Sequence, residues 1–405
     1  MPTRRLSVRD LDVRGRRIFV RVDLNAPLRD GAVADDTRLR AALPTLRHIL
    51  ERGGRVIAAS HLGRPKGKAV PSMSLAPVAG RLRALLGRPV RMAPDCVGAE
   101  VEALAGELPE GEVLLLENLR FHAGEEANDG EFAARLARLA DLYVNDAFGT
   151  AHRAHASVVG ITRHLPAAAG FLMEREMEML HRLLERPRAP YVAILGGAKV
   201  SDKLDLLRIL IGRVDAILIG GAMAYTFLKA GGTPVGSSRV EADRLEHAAA
   251  ILDRAGEAGI RFLLPVDHVV APSPEPGAPS RATPGPGIPE GLAGVDVGPR
   301  TRELYRGQAK EALTIFWNGP LGLFEVEPYG EGTRTVAEAI DAGRTFGVVG
   351  GGDSVAAMNR LGLADHFTHL STGGGAALEY LAGVDLPGVR ALGPAEERPA
   401  RDRAR

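Results

Sequence analysis

An apolar run, Thr345 to Val349, leads into Gly350, Gly351 and Gly352, then Asp353, Ser354 and a second apolar stretch. Three glycines let a backbone approach a ligand closely, and a helix start offers unpaired N–H groups and the positive end of its dipole. That combination suits a phosphate. No Gly-Lys-Ser or Gly-Lys-Thr follows, so this is not a Walker loop, and Asp353 adds negative charge where an anion would sit. Mg2+ held by Asp353 on nucleotide phosphates reconciles the two, because that ion usually takes one or two carboxylates plus phosphate oxygens. An ordinary turn in which Asp353 or Ser354 caps the helix reads the same way.

Glycines recur in Gly196-Gly197-Ala-Lys199-Val-Ser-Asp-Lys203, in Gly220-Gly221-Ala, in Trp317-Asn318-Gly319-Pro320-Leu-Gly322-Leu-Phe324-Glu325, and in Ser371-Thr372-Gly373-Gly374-Gly375-Ala376. Lys199 and Lys203, four apart at the start of a helix, repel each other and oppose the dipole, so nucleotide phosphates are their expected partners. Pairing of Lys203 with Asp202 or Asp205 on a solvated face is the alternative. The run 371–376 has no charged side chain and suits a transferring phosphoryl group cradled by N–H groups. Glu325 is placed to meet ribose hydroxyls, although a bare loop glutamate looks alike. No Gly-x-Gly-x-x-Gly with an acid further on appears, which argues against a dinucleotide dehydrogenase.

The first half carries cationic and amide groups instead. Arg21-Val-Asp23-Leu-Asn25 and Asp36-Thr-Arg38 come first, then Ser60-His61-Leu-Gly63-Arg64, Glu117-Asn118-Leu-Arg120 and Asn145-Asp146, which leads on to His152-Arg153-Ala-His155. If these segments converge, Arg38, His61, Arg64, Arg120 and Arg153 build one anion site. Arginine binds carboxylate and phosphate oxygens in a bidentate manner, so a small substrate bearing both groups fits. Asp23 and Asn25 then accept from and donate to a hydroxyl, or Asp23 serves as a turn residue or an internal partner for an arginine.

Each of these segments follows a short apolar run, which is the pattern of parallel strands joined by crossover helices. Strands are expected at Ile18 to Val22, Val56 to Ala59, Val113 to Leu116 and Leu142 to Val144, then at Tyr191 to Leu195, Ala216 to Ile219, Phe262 to Leu264, Leu313 to Phe316 and Phe346 to Val349. Ligands of such open sheets bind beyond the carboxyl ends of the strands. Residues 171–187 carry apolar positions at helical spacing without a glycine and read as a connector. The Pro- and Gly-rich segment 271–289 reads as an irregular surface loop, and the charged tail from Gly393 lacks an apolar face.

The 405 residues suit two domains, and 51 Lys plus Arg against 50 Asp plus Glu leave the chain nearly neutral, so no nucleic-acid or membrane partner is implied. One cysteine, Cys96, excludes an internal disulfide framework, cannot by itself form a structural zinc site, and reads as a small apolar residue in a reducing compartment. With no apolar leader and no run long enough to span a bilayer, a cytoplasmic location is expected.

Taken in order, these motifs resemble the phosphoglycerate kinase family, roughly from Val20 to the Leu-Pro-Gly at 386–388. The resemblance implies two doubly wound, Rossmann-like parallel-sheet α/β domains joined by a helix and hinge. It also implies reversible, Mg2+-dependent phosphoryl transfer between ATP and the carboxylate of 3-phosphoglycerate, in line, with domain closure, and in the ATP-forming direction in glycolysis. The domains are then 1–170 for phosphoglycerate, 171–187 as connecting helix, 188–388 for ATP or ADP, and 389–405 as tail, in a monomer. Carried over by position, Asp23, Asn25, Arg38, His61, Leu62, Gly63, Arg64, Arg120 and Arg153 bind the phosphoglycerate. Lys203, Glu325, Gly351, Gly352, Asp353 and Ser354 bind nucleotide, with Asp353 on the metal. Arg38, Lys199 and the amides around Gly352 and Gly375 stabilise the phosphoryl group in flight. Ala377, where Ser is common, His268, where an apolar residue is usual, and the Pro-rich loop 271–289 depart from the pattern. The rival readings are a kinase forming an acyl phosphate on another small carboxylate and a catalytically silent nucleotide-binding protein of the same fold.

Overall fold

A computed structural model describes residues 5–393; the part of the expected tail beyond Gly393 lies outside the described residues. The chain divides into two compact units, one running to Met177 and taking up the chain again at Asp385, the other spanning Glu178–Val384.

The first unit is built on a six-stranded sheet in the spatial order Val90–Met92, Val113–Leu115, Arg55–Ala59, Arg17–Val22, Leu142–Asp146 and Ala167–Ala169. Every neighbouring pair is parallel. Ile18, Val20 and Val22 point to one side with Leu39, Leu46 and Leu50 of the helix Thr37–Glu51, while Phe19 and Tyr143 are buried on the other. Burial on both faces is why the strands are continuous apolar runs rather than alternating ones.

The second unit has its own six-stranded parallel sheet, ordered Arg261–Leu263, Ala216–Ile219, Tyr191–Leu195, Thr314–Asn318, Phe346–Val349 and His369–Leu370. Counted along the chain, the order descends from the third strand to the first and then runs from fourth to sixth. The direction reverses between Tyr191–Leu195 and Thr314–Asn318, and ligands of doubly wound sheets bind at such a reversal.

Three short edge strands, Val90–Met92, Ala167–Ala169 and His369–Leu370, extend the sheets beyond the strands expected from sequence. The segment 271–289 is not wholly irregular. Arg281–Ala282 pairs antiparallel with His268–Ala271, which pairs in turn with Ala293–Val297. His268 explains part of this order: its Nε2 lies 3.0 Å from the Pro286 carbonyl, which can only accept, so the ring donates and pins the loop. Burial pushes that imidazole down to about 4, which keeps it neutral.

The connector is the helix Phe171–Glu185, and the boundary between the units falls inside it. Asp146 Oδ1 accepts from Leu172 N at 2.8 Å and Met173 N at 3.3 Å, while Phe171 N donates to Thr45 Oγ1 at 2.9 Å, so the helix start is well held. The second unit ends at Val384, short of the expected 388. Residues 385–393 are not a bare tail, because they include the helix Pro387–Arg390 and bury Leu386, Val389 and Leu392.

Candidate active site

In the first unit, the carboxyl ends of Arg17–Val22 and Arg55–Ala59 deliver Asp23, Asn25, His61 and Gly63 to one place. Asn25 Oδ1 accepts from Gly63 N at 3.0 Å, and the Gly63 carbonyl accepts from Arg120 at 2.7 Å. Arg38, on the first turn of Thr37–Glu51, pairs with Asp23. Leu62 is buried, and its carbonyl accepts from Asn118 Nδ2 at 2.7 Å, so it fixes the loop rather than offering a side chain. Burial lowers the Arg120 pKa, with Glu126 opposing and the nearby Arg153 adding to the shift, and Arg64 is exposed one residue beyond Gly63.

Burial raises Asp23, but His61, the Arg38 and Arg21 guanidinium groups and the Asn25 N–H outweigh it and hold the carboxyl below its usual value. His61 is pushed well below the usual imidazole range by burial, reinforced by Arg21, Arg120 and Arg38, with Asp23 opposing. Its tautomer follows from its neighbour. Arg21 lies 3.2 Å from Nδ1 and can only donate, so Nδ1 accepts and the proton sits on Nε2.

Arg21 is the residue that sequence reasoning missed. It is fully buried, donates to Ser157 Oγ at 2.9 Å and to the Val22 carbonyl, and orients His61. Ser157 Oγ donates to Glu125 Oε1 at 2.6 Å, so a buried carboxylate anchors the chain of contacts from below. The signal was an arginine inside the run Ile-Phe-Val-Arg-Val, where only a satisfied charge survives burial.

In the second unit, Gly196-Gly197 and Gly319-Pro320 meet at the strand reversal. A Cβ on Gly196 would lie 2.1 Å from Pro320 O, and one on Gly319 would lie 2.2 Å from Gly196 O, so no side chain fits at either position. Ser354 Oγ accepts from Gly319 N at 2.6 Å and donates to Gly350 O at 2.8 Å. Its hydroxyl is therefore committed to joining strand ends, leaving its backbone N–H as what it can offer a ligand. The helix Gly352–Leu361 is capped by Gly351 at φ 93° without a side-chain bond. Asp353 is thus not a cap; its carboxylate is exposed on the first turn. Gly375 similarly opens the helix Gly375–Leu381 behind Gly374, again with no side-chain cap.

Lys203 Nζ sits 3.7 Å from where a Gly197 Cβ would be. Burial lowers its pKa, with Asp202 and Asp353 opposing, while Asp205 pairs instead with Arg208 at 2.9 Å. Lys199 is exposed nearby in the chain. A cleft of about 160 Å³ is lined by Gly197, Tyr225, Leu321 and Phe324, with Glu325 and Asp353 also in its wall. Its apolar surfaces suit a flat aromatic ring, and its two carboxylates suit hydroxyls and a cation.

Asp353 fits Mg2+ on its chemistry: a hard, exposed oxygen donor beside uncapped N–H groups that would hold phosphate.

The family model for phosphoglycerate kinase matches residues 8–384. The chain is 54% identical to the phosphoglycerate kinase of Rubrobacter xylanophilus over 391 residues, covering 96% of this chain and 99% of that one. It is 52% identical to the phosphoglycerate kinase of Dictyoglomus turgidum over 388 residues, covering 96% and 98%. The solved phosphoglycerate kinase of Coxiella burnetii superposes with a TM-score of 0.85 at 40% identity, covering 96% of this chain and 99% of that one. That of Pyrococcus horikoshii superposes at 0.85 and 35% identity, covering 96% and 98%. With both sheets, the basic strand ends and the glycine strand ends in place, the chain belongs to the phosphoglycerate kinase family.

Proposed function

We propose that the basic face of the first unit holds 3-phosphoglycerate, that the glycine face of the second holds ATP or ADP, and that the reaction is the family's reversible phosphoryl transfer. The observation that carries this reading is the hydrogen-bonded set Asp23–Arg38, Asn25–Gly63 and Gly63–Arg120 at adjacent strand ends. More positive charge gathers there than a lone carboxylate needs, which favours a substrate bearing a phosphate as well. Neutral His61 donates through Nε2 rather than acting as a base. None is required, because a carboxylate nucleophile is already ionised at neutral pH.

Phosphoryl transfer asks mainly for alignment and charge neutralisation. Arg38 supplies a guanidinium that Asp23 holds in place, and Lys199, Lys203 and the N–H groups at Gly352 and Gly375 supply the rest. Asp353 would hold Mg2+ there, and the ion would supply positive charge to offset that of the phosphates. The two substrates meet through domain closure, in a monomeric, cytoplasmic enzyme. Among the described residues, no helix is long and apolar enough to cross a membrane. The test is a coupled assay of ADP release from Mg-ATP, with EDTA controls. Release is expected with 3-phosphoglycerate, and equal rates with glycerate or acetate would defeat the assignment.

A further inference from the structure

Cys96 looked inert in the sequence because one cysteine makes no zinc site. The fold supplies it with company. The segment after Val90–Met92 carries Asp95 and Cys96, and the segment after Val113–Leu115 carries His122; those strands are parallel neighbours, with Met92 opposite Leu115. Pairing continues past the strands, since Ala93 N donates to Leu115 O at 2.9 Å and Glu117 N to Asp95 O at 3.4 Å. The donor atoms of Asp95, Cys96 and His122 consequently all lie within 4.8 Å of one another. His122 Nε2 is 2.7 Å from Asp95 Oδ1, which also accepts from Cys96 N at 2.6 Å. The imidazole stacks on Phe132 with centroids 5.2 Å apart, which fixes its plane.

We propose that Asp95, Cys96 and His122 form a site for one thiophilic divalent cation, Zn2+, with solvent in the fourth position. Sulfur, nitrogen and carboxylate oxygen from three residues are a recognised zinc donor set, and thiolate with imidazole selects zinc over Mg2+, which prefers oxygen alone. Two of the three donors are open to solvent, the His122 and Asp95 side chains being 30% and 45% exposed, while Cys96 is buried. On binding, the Cys96 S–H bond breaks, its proton leaves to solvent, and a sulfur–zinc bond forms. The ion ties the 93–98 segment to the turn Leu119–Phe121, which carries Arg120 of the basic face.

The test uses the full chain stripped of metal by chelator and titrated with Co2+ as a spectroscopic stand-in, then with Zn2+. About one equivalent of Co2+ is expected to bind with a near-ultraviolet thiolate-to-metal band, to be displaced by Zn2+, and to raise the melting temperature as any ligand of the native state does. Cys96→Ala should lose the band. His122→Gln, at a partly exposed position, should weaken binding by more than the roughly 10- to 100-fold that loss of an outer partner costs. Absence of the band in the parent protein overturns the proposal, as does parental affinity in His122→Gln. Melting curves of Cys96→Ala without metal check that its lost band is not lost structure.

Discussion

Arg38 and Ser354 differ in what the fold leaves their side chains free to do. Arg38 is paired with Asp23 while 36% of its side chain stays exposed, so its charge is positioned yet available. If that charge matters mainly when the phosphoryl group is in flight, Arg38→Ala should lower kcat by roughly 10³-fold or more while leaving nucleotide affinity nearly unchanged. Steady-state kinetics beside equilibrium ADP binding separates the two, and equal losses would mean the residue is misplaced in the mechanism. Ser354 acts on the chain itself. Ser354→Ala leaves the buried Gly319 N–H without its acceptor, which should cost about 1–3 kcal/mol of stability. The midpoint of urea unfolding followed by fluorescence of the single tryptophan, Trp317, reads this directly, because that residue is buried in the core of the same unit.

At the scale of elements, Asp146 both ends the strand Leu142–Asp146 and holds the start of Phe171–Glu185. Burial pushes its carboxyl up to about 7 against the pull of the Thr45 hydroxyl and of the Met173 and Leu172 N–H groups. A folded-state value above the unfolded one means that the native form keeps the proton longer. The associated stability is full below the unfolded value near 3.8 and is lost as pH rises through about 7. Asp146→Asn cannot ionise and still offers an oxygen to both N–H groups. It should therefore lose less stability than the parent between about pH 4 and about pH 7; parallel melting-temperature profiles would count against this. The interior strands were legible because burial on both faces writes a continuous apolar run, as in Tyr191–Leu195. The edge strands were not. Ala167–Ala169 is three alanines, a helix-favouring composition placed in a strand by its ladder to Leu142–Asp146, and His369–Leu370 is only two residues long. The pairing of Arg281–Ala282 was equally hidden, since its order comes from backbone bonds and from His268 reaching Pro286. In the site, Arg38, Arg64, Arg120 and Arg153 were readable as charges after strands, whereas Arg21 needed the fold to reveal what satisfies it.

At the scale of the whole molecule, the chain leaves the first unit at Met177 and comes back at Asp385, so the last described residues belong to the unit that holds the basic face. Gly388 N donates to Ala151 O at 2.8 Å, and a Cβ at Gly388 would lie 2.6 Å from Val158 Cγ1, so only glycine allows this approach. The segment it presses on, 151–158, carries Arg153 and His155. Leu386, Val389 and Leu392 are at most 5% exposed, and burying such side chains contributes roughly 1.5–3 kcal/mol apiece. A chain ending at Val384 should therefore lose stability in the first unit and hold Arg153 loosely, while the second unit keeps every strand of its sheet. Two readouts distinguish the units. The KM for 3-phosphoglycerate is expected to rise while ADP affinity holds, and far-ultraviolet circular dichroism should show an earlier thermal transition that Trp317 fluorescence does not report. Equal shifts in both signals would show instead that the two units unfold as one, and that the returning segment stabilises the whole chain rather than the half it packs against.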